Sequence, residues 1–332
     1  MKIRPIEILL FAIVLGCAII ILGVKSSRAG MAKNADGADN SSASALALLE
    51  SERKSLAFDH INIQAKAAYV YDLKENKIIY AQNENAILPL ASLAKIMTAV
   101  VAEQEIPQSA VIPITFQALS EDGDNGLLLN ERWSFANLLN FTLTVSSNDG
   151  AHAIAAVGGA MALSSSQANS GATLDSNSDS VDVANFVSQM NQKARQLGLT
   201  EMTFSNPTGL DLTATTSGAY GSAKDVSRLF AYAITQYPNL FYSTTQGQLT
   251  VTSLSGDKHT VQNSNEVVND IPGIIASKTG NTDLAGGNLV VAIDEGIDHP
   301  VIICLLGSSF MGRFTDMQTL ASSTLAYFQT RQ

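Results

Sequence analysis

The stretch LPLASLAKIMTAVV, residues 88–101, places one lysine inside an apolar run that repeats at helical spacing. Leu93, Ile96, Met97, Val100 and Val101 fall at i, i+3, i+4, i+7 and i+8, the pattern of a helix face turned toward a core. Lys95 sits within that run three positions after Ser92, so both side chains leave the same side of the helix. Pro89, just upstream, puts Ser92 close to the helix N-terminus, where unpaired N–H groups and the positive dipole end favour a developing negative charge. A serine placed there becomes a nucleophile if a neighbour takes its proton. Lys95 can do so only as a neutral amine, which costs about 4 kcal/mol at pH 7. Burial and a second nearby cation both push a lysine in that direction.

Two further pieces support a reactive reading over a lysine that merely snorkels to water. VSSNDGA supplies Ser146, Ser147 and Asn148, with Ser146 lying 54 positions after Ser92, and SKTGNT supplies Lys278, Thr279 and Gly280 at the head of an apolar strand. Any one of these short patterns is weak evidence. Three in this order are strong.

The order S-x-x-K, S-x-N, K-T-G resembles the penicillin-binding and serine β-lactamase superfamily. LPLASLAKIMTA, SSNDGA, LGLTEMTFSNPTGLD, SAKDVSRL and SKTGNTDLAGGNLV narrow the resemblance to the D-alanyl-D-alanine carboxypeptidases, peptidase family S11, over roughly residues 65–330. The resemblance implies an α/β (α+β) fold of the β-lactamase/transpeptidase type: a mainly antiparallel five-stranded sheet flanked by helices, plus a helical subdomain. It also implies residue roles. Ser92 is the expected nucleophile, Lys95 its base, Ser146 a proton relay and Asn148 a contact to the substrate amide. Lys278 and Thr279 would face the substrate carboxylate, Gly280 would leave room for a peptide along the strand edge, and the backbone N–H groups of Ser92 and Asn281 would form the oxyanion hole. The expected partners are a peptidoglycan stem peptide ending in D-Ala-D-Ala and β-lactams as inhibitors, and no cofactor is implied.

Two departures accompany the resemblance. Many relatives carry an arginine in the segment that here reads GSSFMGR, and Ser308 is read as its replacement. Nor is there a counterpart of the β-rich C-terminal domain and amphipathic tail of several relatives, so anchoring is expected from the N-terminus. Within the superfamily, a class A β-lactamase needs a deacylating Glu with an Asn four residues on, which EMTFSN does not supply. DD-endopeptidase activity on cross-links uses the same residues and stays open. A catalytically dead wall-binding module is disfavoured because the costly Lys95 is retained.

Residues 8–24, ILLFAIVLGCAIIILGV, are an uncharged run of 17 flanked by Lys2, Arg4, Lys25 and Arg28. As a helix this spans roughly 25 Å, close to a hydrocarbon core of ~30 Å. SSRAG is a poor cleavage site, and the apolar AIIILGV after Cys17 argues against lipoprotein processing, so residues 1–25 are read as an uncleaved membrane anchor. Flanking charges are nearly balanced and orient the chain weakly. The expected substrate places the catalytic domain outside a bacterial cytoplasmic membrane.

Residues 26–45 read as a flexible tether and 46–332 as the catalytic domain, with a low-complexity, disordered insert at about 162–181. AAYVYDL and KIIYAQN form a strand pair turning at Lys74-Glu75-Asn76, an apolar helix starts near 134, and VANFVSQMNQKARQLGL is a helix closed by Gly198. Strands follow in GIIASKTG, GGNLVVAIDEG and HPVIICLLG, then a last helix over about 312–329. Two early strands and three late ones suggest one mixed sheet joining the ends of the domain. The net charge of −10 and the absence of a Lys/Arg cluster exclude a nucleic-acid partner. Cys17 and Cys304 are not expected to pair, and the scattered His60, His152, His259 and His299 support no zinc site.

Overall fold

A computed structural model of the chain describes residues 56–123, 126–166 and 179–329. β1 (Ala67–Asp72) and β2 (Lys77–Gln82) form the expected hairpin. Its turn ends at Asn76, which takes a left-handed φ of 51°. The short β3 (Leu88–Pro89) leads into a single 3-10 turn, Ala91–Leu93, and then helix α1 (Ala94–Glu105). β4 (Val111–Pro113) pairs with β5 (Arg132–Ser134). Helix α2 (Phe135–Val145) follows, its first turn capped by the Ser134 hydroxyl accepting from the Asn137 N–H.

Helix α3 spans Asn148–Ser166 and α4 spans Asp179–Gln196. Both ends of the expected disordered insert are therefore helical, because 162–166 continue α3 and 179–181 open α4; its middle lies outside the described residues. Gly198 closes α4 with φ 65°. β6 (Thr203–Phe204) and β7 (Ala219–Gly221) join β3 in a small sheet. Helix α5 (Ala223–Gln236) begins at a Ser222 cap, and β8 (Gln248–Thr252) pairs with β9 (Lys258–Gln262). β10 (Ile274–Thr282), β11 (Gly286–Asp294), β12 (Pro300–Ser308) and helix α6 (Gly312–Gln329) complete the domain.

The main sheet has the order β10-β11-β12-β1-β2, and every pairing in it is antiparallel. It unites the two ends of the domain and is the five-stranded antiparallel sheet that the resemblance implied, where the strand pattern alone suggested a mixed one. Side chains alternate across a strand, and here both faces are covered. Val290, Ala292, Ile302, Cys304, Leu306, Ala67 and Tyr69 enter the core shared with α1, α2 and α5. Leu289, Val291, Ile293, Val301, Ile303, Leu305, Ala68 and Val70 meet Phe314, Met317 and Leu320 of α6 on the other face. Burial on both faces is why these strands read as unbroken apolar runs.

α1 is buried nearly all round, with Ala94, Ile96, Met97, Ala99, Val100 and Ala102 fully covered. Its neighbours include α3, α4 and α5, so the helix has no polar face to lose. Cys304 lies free and buried at the centre of β12, where burial pushes its thiol pKa up; Cys17 lies outside the described residues. Among the described residues no helix is long and apolar enough to cross a membrane. The expected anchor at 8–24 and tether at 26–45 fall outside them.

Candidate active site

Ser92 sits in the 3-10 turn two residues before α1 begins, half-buried, after Ala91. Ala91 has φ 49°, a left-handed backbone that costs an alanine about 1–2 kcal/mol and is kept only where packing overdetermines it. Several neighbours do so. Asn288 of β11, fully buried, donates from Nδ2 to the carbonyls of Pro89 and Leu90, each at 3.0 Å, and accepts at Oδ1 from the Gly307 N–H at 2.7 Å. Gly280 of β10 packs directly on the turn: a Cβ there would lie 2.9 Å from the Leu90 oxygen and 3.3 Å from both the Ala91 Cβ and the Leu93 nitrogen. Its missing side chain therefore first serves the approach of the serine turn to the strand, a reason additional to room for a peptide. Gly209, at φ 79°, is held closer still: a Cβ there would lie 1.8 Å from the Ala91 oxygen.

The Lys95 Nζ lies 2.8 Å from the Ser92 Oγ, 2.6 Å from the Asn148 Oδ1 and 2.8 Å from the Thr208 carbonyl. A neutral amine has two protons and one lone pair. Asn148 and Thr208 offer only oxygens and must receive the two protons, so the lone pair is left for the Ser92 hydroxyl to donate to. Lys95 is 1% exposed. Burial pulls its pKa down to about 7 against the opposing charges of Glu121 and Asp149.

A second amine and hydroxyl lie opposite. Ser146, just beyond α2, adopts a left-handed φ of 67° and accepts a hydrogen bond from Lys278 at 2.7 Å. Lys278 also donates to the Thr279 carbonyl at 2.8 Å. Burial, then the charges of Lys95 and Arg313, push Lys278 well below the ordinary lysine range. Thr279 donates to the Ser264 hydroxyl at 2.7 Å, and Asn281 is exposed at the edge of β10. The structure thus brings Ser92, Lys95, Ser146, Asn148, Lys278, Thr279, Gly280 and Asn281 to one place between the edge strand and the helices.

The sequence reading missed four contributors. Thr208 supplies the carbonyl on Lys95, within a loop shaped by Asn206, whose Oδ1 accepts from the Gly209 N–H at 2.7 Å. Asn288 is a polar residue inside the apolar GGNLVVAID, which was a usable signal. The Asp122 carbonyl accepts from the Asn148 Nδ2 at 2.6 Å. Arg313 is the fourth. Ser308 turns away to donate to Asp316 at 2.6 Å, whereas Arg313, five residues on, donates to the Gly280 carbonyl at 3.0 Å. Its guanidinium lies 4.5 Å and 4.6 Å from the ring centres of Phe310 and Phe314. The cation read as replaced at Ser308 is present from the next helix.

A family model described as D-alanyl-D-alanine carboxypeptidase, Peptidase S11, matches residues 51–163 and 159–309. The chain belongs to the S11 family. A D-alanyl-D-alanine endopeptidase of Pseudomonas aeruginosa is 31% identical over 229 residues, covering 68% of this chain and 66% of that protein. The D-alanyl-D-alanine carboxypeptidase DacF of Bacillus subtilis is 25% identical over 273 residues, covering 80% of this chain and 64% of the relative. The chain thus spans about two thirds of the length of these curated relatives. Penicillin-binding protein D2 of Listeria monocytogenes, solved in a cefotaxime-bound form, superposes with a TM-score of 0.62 at 25% identity over 80% of this chain and 99% of that one. In this S11 chain the three motifs are spatial neighbours, and Arg313 joins them.

Proposed function

We propose that this S11 chain is a serine-type D-Ala-D-Ala carboxypeptidase that trims peptidoglycan stem peptides through an acyl-enzyme on Ser92. The observation that carries the reading is the buried Lys95 amine 2.8 Å from the Ser92 hydroxyl, with its other hydrogen bonds going to two carbonyl oxygens. Lys95 takes the Ser92 proton as the oxygen attacks the carbonyl carbon of the penultimate D-Ala. The N–H groups of Ser92 and Asn281 receive the oxyanion. The C–N bond then breaks, the leaving amine takes a proton through Ser146, and free D-alanine departs. Water attacks the ester, gives its proton back to the site and restores Ser92.

The substrate's terminal carboxylate is the natural anion for Thr279, Lys278 and Arg313. Arg313 keeps a buried Nε without a hydrogen-bond partner among the described residues, which suits a group awaiting an anion. A β-lactam acylates the same serine, and its ring nitrogen remains tethered after the amide opens. Residues 1–25 anchor the chain with its catalytic domain outside the cytoplasmic membrane, where such peptides exist.

Mass spectrometry of the full chain with a fluorescent penicillin, and separately with a pentapeptide ending in D-Ala-D-Ala, tests the reading. A single covalent adduct on Ser92 together with D-alanine release is expected, and neither event occurring would overturn it. The D-alanyl-D-alanine endopeptidase relative at 31% identity favours one second reading, cleavage of cross-linked stems by the same residues. A purified cross-linked dimer in the same assay separates the two.

A further inference from the structure

His152 lies one turn along α3 from Asn148, on the same side of the helix. Its side chain is 15% exposed and is clamped between two carboxylates. The Nδ1 lies 2.7 Å from Glu121 Oε1 and the Nε2 3.2 Å from Asp179 Oδ1. Neither carboxylate oxygen carries a proton when ionised, so both ring nitrogens must donate, and the ring is an imidazolium. The other Asp179 oxygen accepts from the Thr115 hydroxyl at 3.2 Å, and that hydroxyl accepts from the Ala118 N–H at 3.1 Å, which starts the turn leading to Glu121. The segment so fixed continues to Asp122, whose carbonyl holds Asn148, and to Gly123, where a Cβ would stand 3.5 Å from the Asn148 Nδ2.

We propose that His152 is a positioning residue for the Lys95 arm of the site: as a cation between Glu121 and Asp179 it pins the 121–123 segment, which orients Asn148, which in turn orients Lys95. The proposal rests on the peptidase reading above and deepens it. A second consequence is electrostatic. Glu121 acts on Lys95 by raising its proton affinity, and the imidazolium beside Glu121 offsets that influence. Losing the imidazolium both loosens Asn148 and leaves Lys95 harder to deprotonate.

Glu121 and Asp179 contact the ring; the other ionisable groups on the elements around it are Asp122 of the segment, Asp149 of its own helix, Lys95, Glu103 and Glu105 of α1, and Asp182, Lys193 and Arg195 of α4, while α2 and β4 contribute none. Seven of these groups are acidic and three are basic. Burial alone would lower the His152 pKa, but its hydrogen bond to Glu121 and the charges of Asp179 and Glu121 outweigh it and the net shift is upward. The clamp is thus fully formed below about 6.5 and is lost as pH rises through the higher folded-state value. Lys95 gains its lone pair on the way up through about pH 7. Rising pH thus acts on the site in two opposite ways, freeing the Lys95 lone pair while discharging the His152 clamp.

The test is the second-order rate of fluorescent-penicillin acylation from pH 5 to 10, measured per folded molecule on the full chain, for wild type, His152→Gln and Glu121→Gln. In His152→Gln the rate at pH 7 falls about tenfold to a hundredfold, as expected for a misplaced reacting group, and the ascending limb moves to higher pH. In Glu121→Gln the ascending limb moves to lower pH, because the charge that holds the Lys95 proton is gone. Opposite movement of one limb in two variants that break the same contact is not produced by loss of packing, and Glu121→Gln keeps the test alive if His152→Gln fails to fold. Variants that both keep the wild-type limbs and rate would overturn the proposal alone. A wild-type chain that takes no penicillin at any pH would overturn the peptidase reading and this proposal with it.

Discussion

Lys278 and Ser146 stand 2.7 Å apart at the end of a helix and on the edge of a sheet, 132 positions apart in the chain. This second amine–hydroxyl pair faces the Ser92–Lys95 pair, so each serine has its own lysine. Lys95 and Lys278 are both fully buried, and the charge of either disfavours the charge of the other.

Ser146 separates chemistry from stability. Its left-handed backbone costs a serine about 1 kcal/mol relative to glycine, while its hydroxyl is the only group of that side chain able to carry a proton. Ser146→Gly should therefore melt at or slightly above wild type, yet acylate on the order of a hundredfold or more slowly. Thermal denaturation alongside penicillin labelling checks both halves, and a variant that labels at the wild-type rate removes Ser146 from the proton path.

Lys95→Arg keeps the charge and removes the proposed base. Acylation by wild type should rise with pH through about 7 as the Lys95 proton leaves, whereas the arginine variant should be slower by orders of magnitude with no rise there. Stability carries the same signature with a definite sign. The unfolded chain keeps this proton up to about 10.5 and the folded chain only to about 7, so between those values the unfolded state binds more protons and stability rises with pH. The contribution is complete above about 10.5 and vanishes as pH falls through about 7. Urea unfolding of wild type and Lys95→Met from pH 6 to 9 reads it as a gap that shifts in favour of wild type as pH rises.

Gly280→Ala puts a methyl group against the Leu90 oxygen at 2.9 Å. The serine turn must back away from β10, costing about 1–3 kcal/mol and moving Ser92 relative to Asn281. A lower melting temperature together with slow acylation is expected. A variant that labels normally would mean that the turn yields without moving its serine.

Arg313→Ala tests recognition of the carboxylate. Release of D-alanine from the pentapeptide should show a KM raised by at least tenfold, while the same peptide with its C-terminus amidated, a poor substrate for wild type, should be nearly indifferent to the change. Equal losses on the two peptides would assign Arg313 to packing between Phe310 and Phe314 alone.

The readable part of the fold is where local chemistry and tertiary packing coincide. Ser92 and Lys95 are three residues apart, so helical geometry alone puts them side by side. The β1–β2 hairpin and the three late strands announce themselves through alternation and apolar runs. α5 was equally readable, since Ser222 and Asp225 form a helix-start pattern and Val226, Leu229, Phe230 and Ala233 recur at helical spacing, yet it passed unread as a helix. So did the β8–β9 hairpin, despite the alternation in QLTVT and KHTVQ and a glycine at φ 97° in its turn. Thr208 and Asp122 belong to another class: both act through backbone carbonyls, which carry no residue-type signature. Arg313 was hidden by register, because the arginine position of relatives was read at Ser308 of β12, whereas the cation beside β10 comes from α6.

The sheet that carries the site also dictates the order in which the chain can be completed. Ala67 of β1 pairs with Leu306 of β12, and β1 has no other neighbour in that sheet than β2. As a ribosome delivers the chain, the first hairpin emerges early but finds no strand to dock on until β12 arrives near the end, and the serine turn, which meets β7 earlier through β3, still waits for Gly280 of β10 and Asn288 of β11. Long-range closure of this kind is slow and exposes apolar edges meanwhile. A chain stopped short of β12 would be not a weakened domain but an unassembled one, with Ser92 synthesised long before the strands that position it.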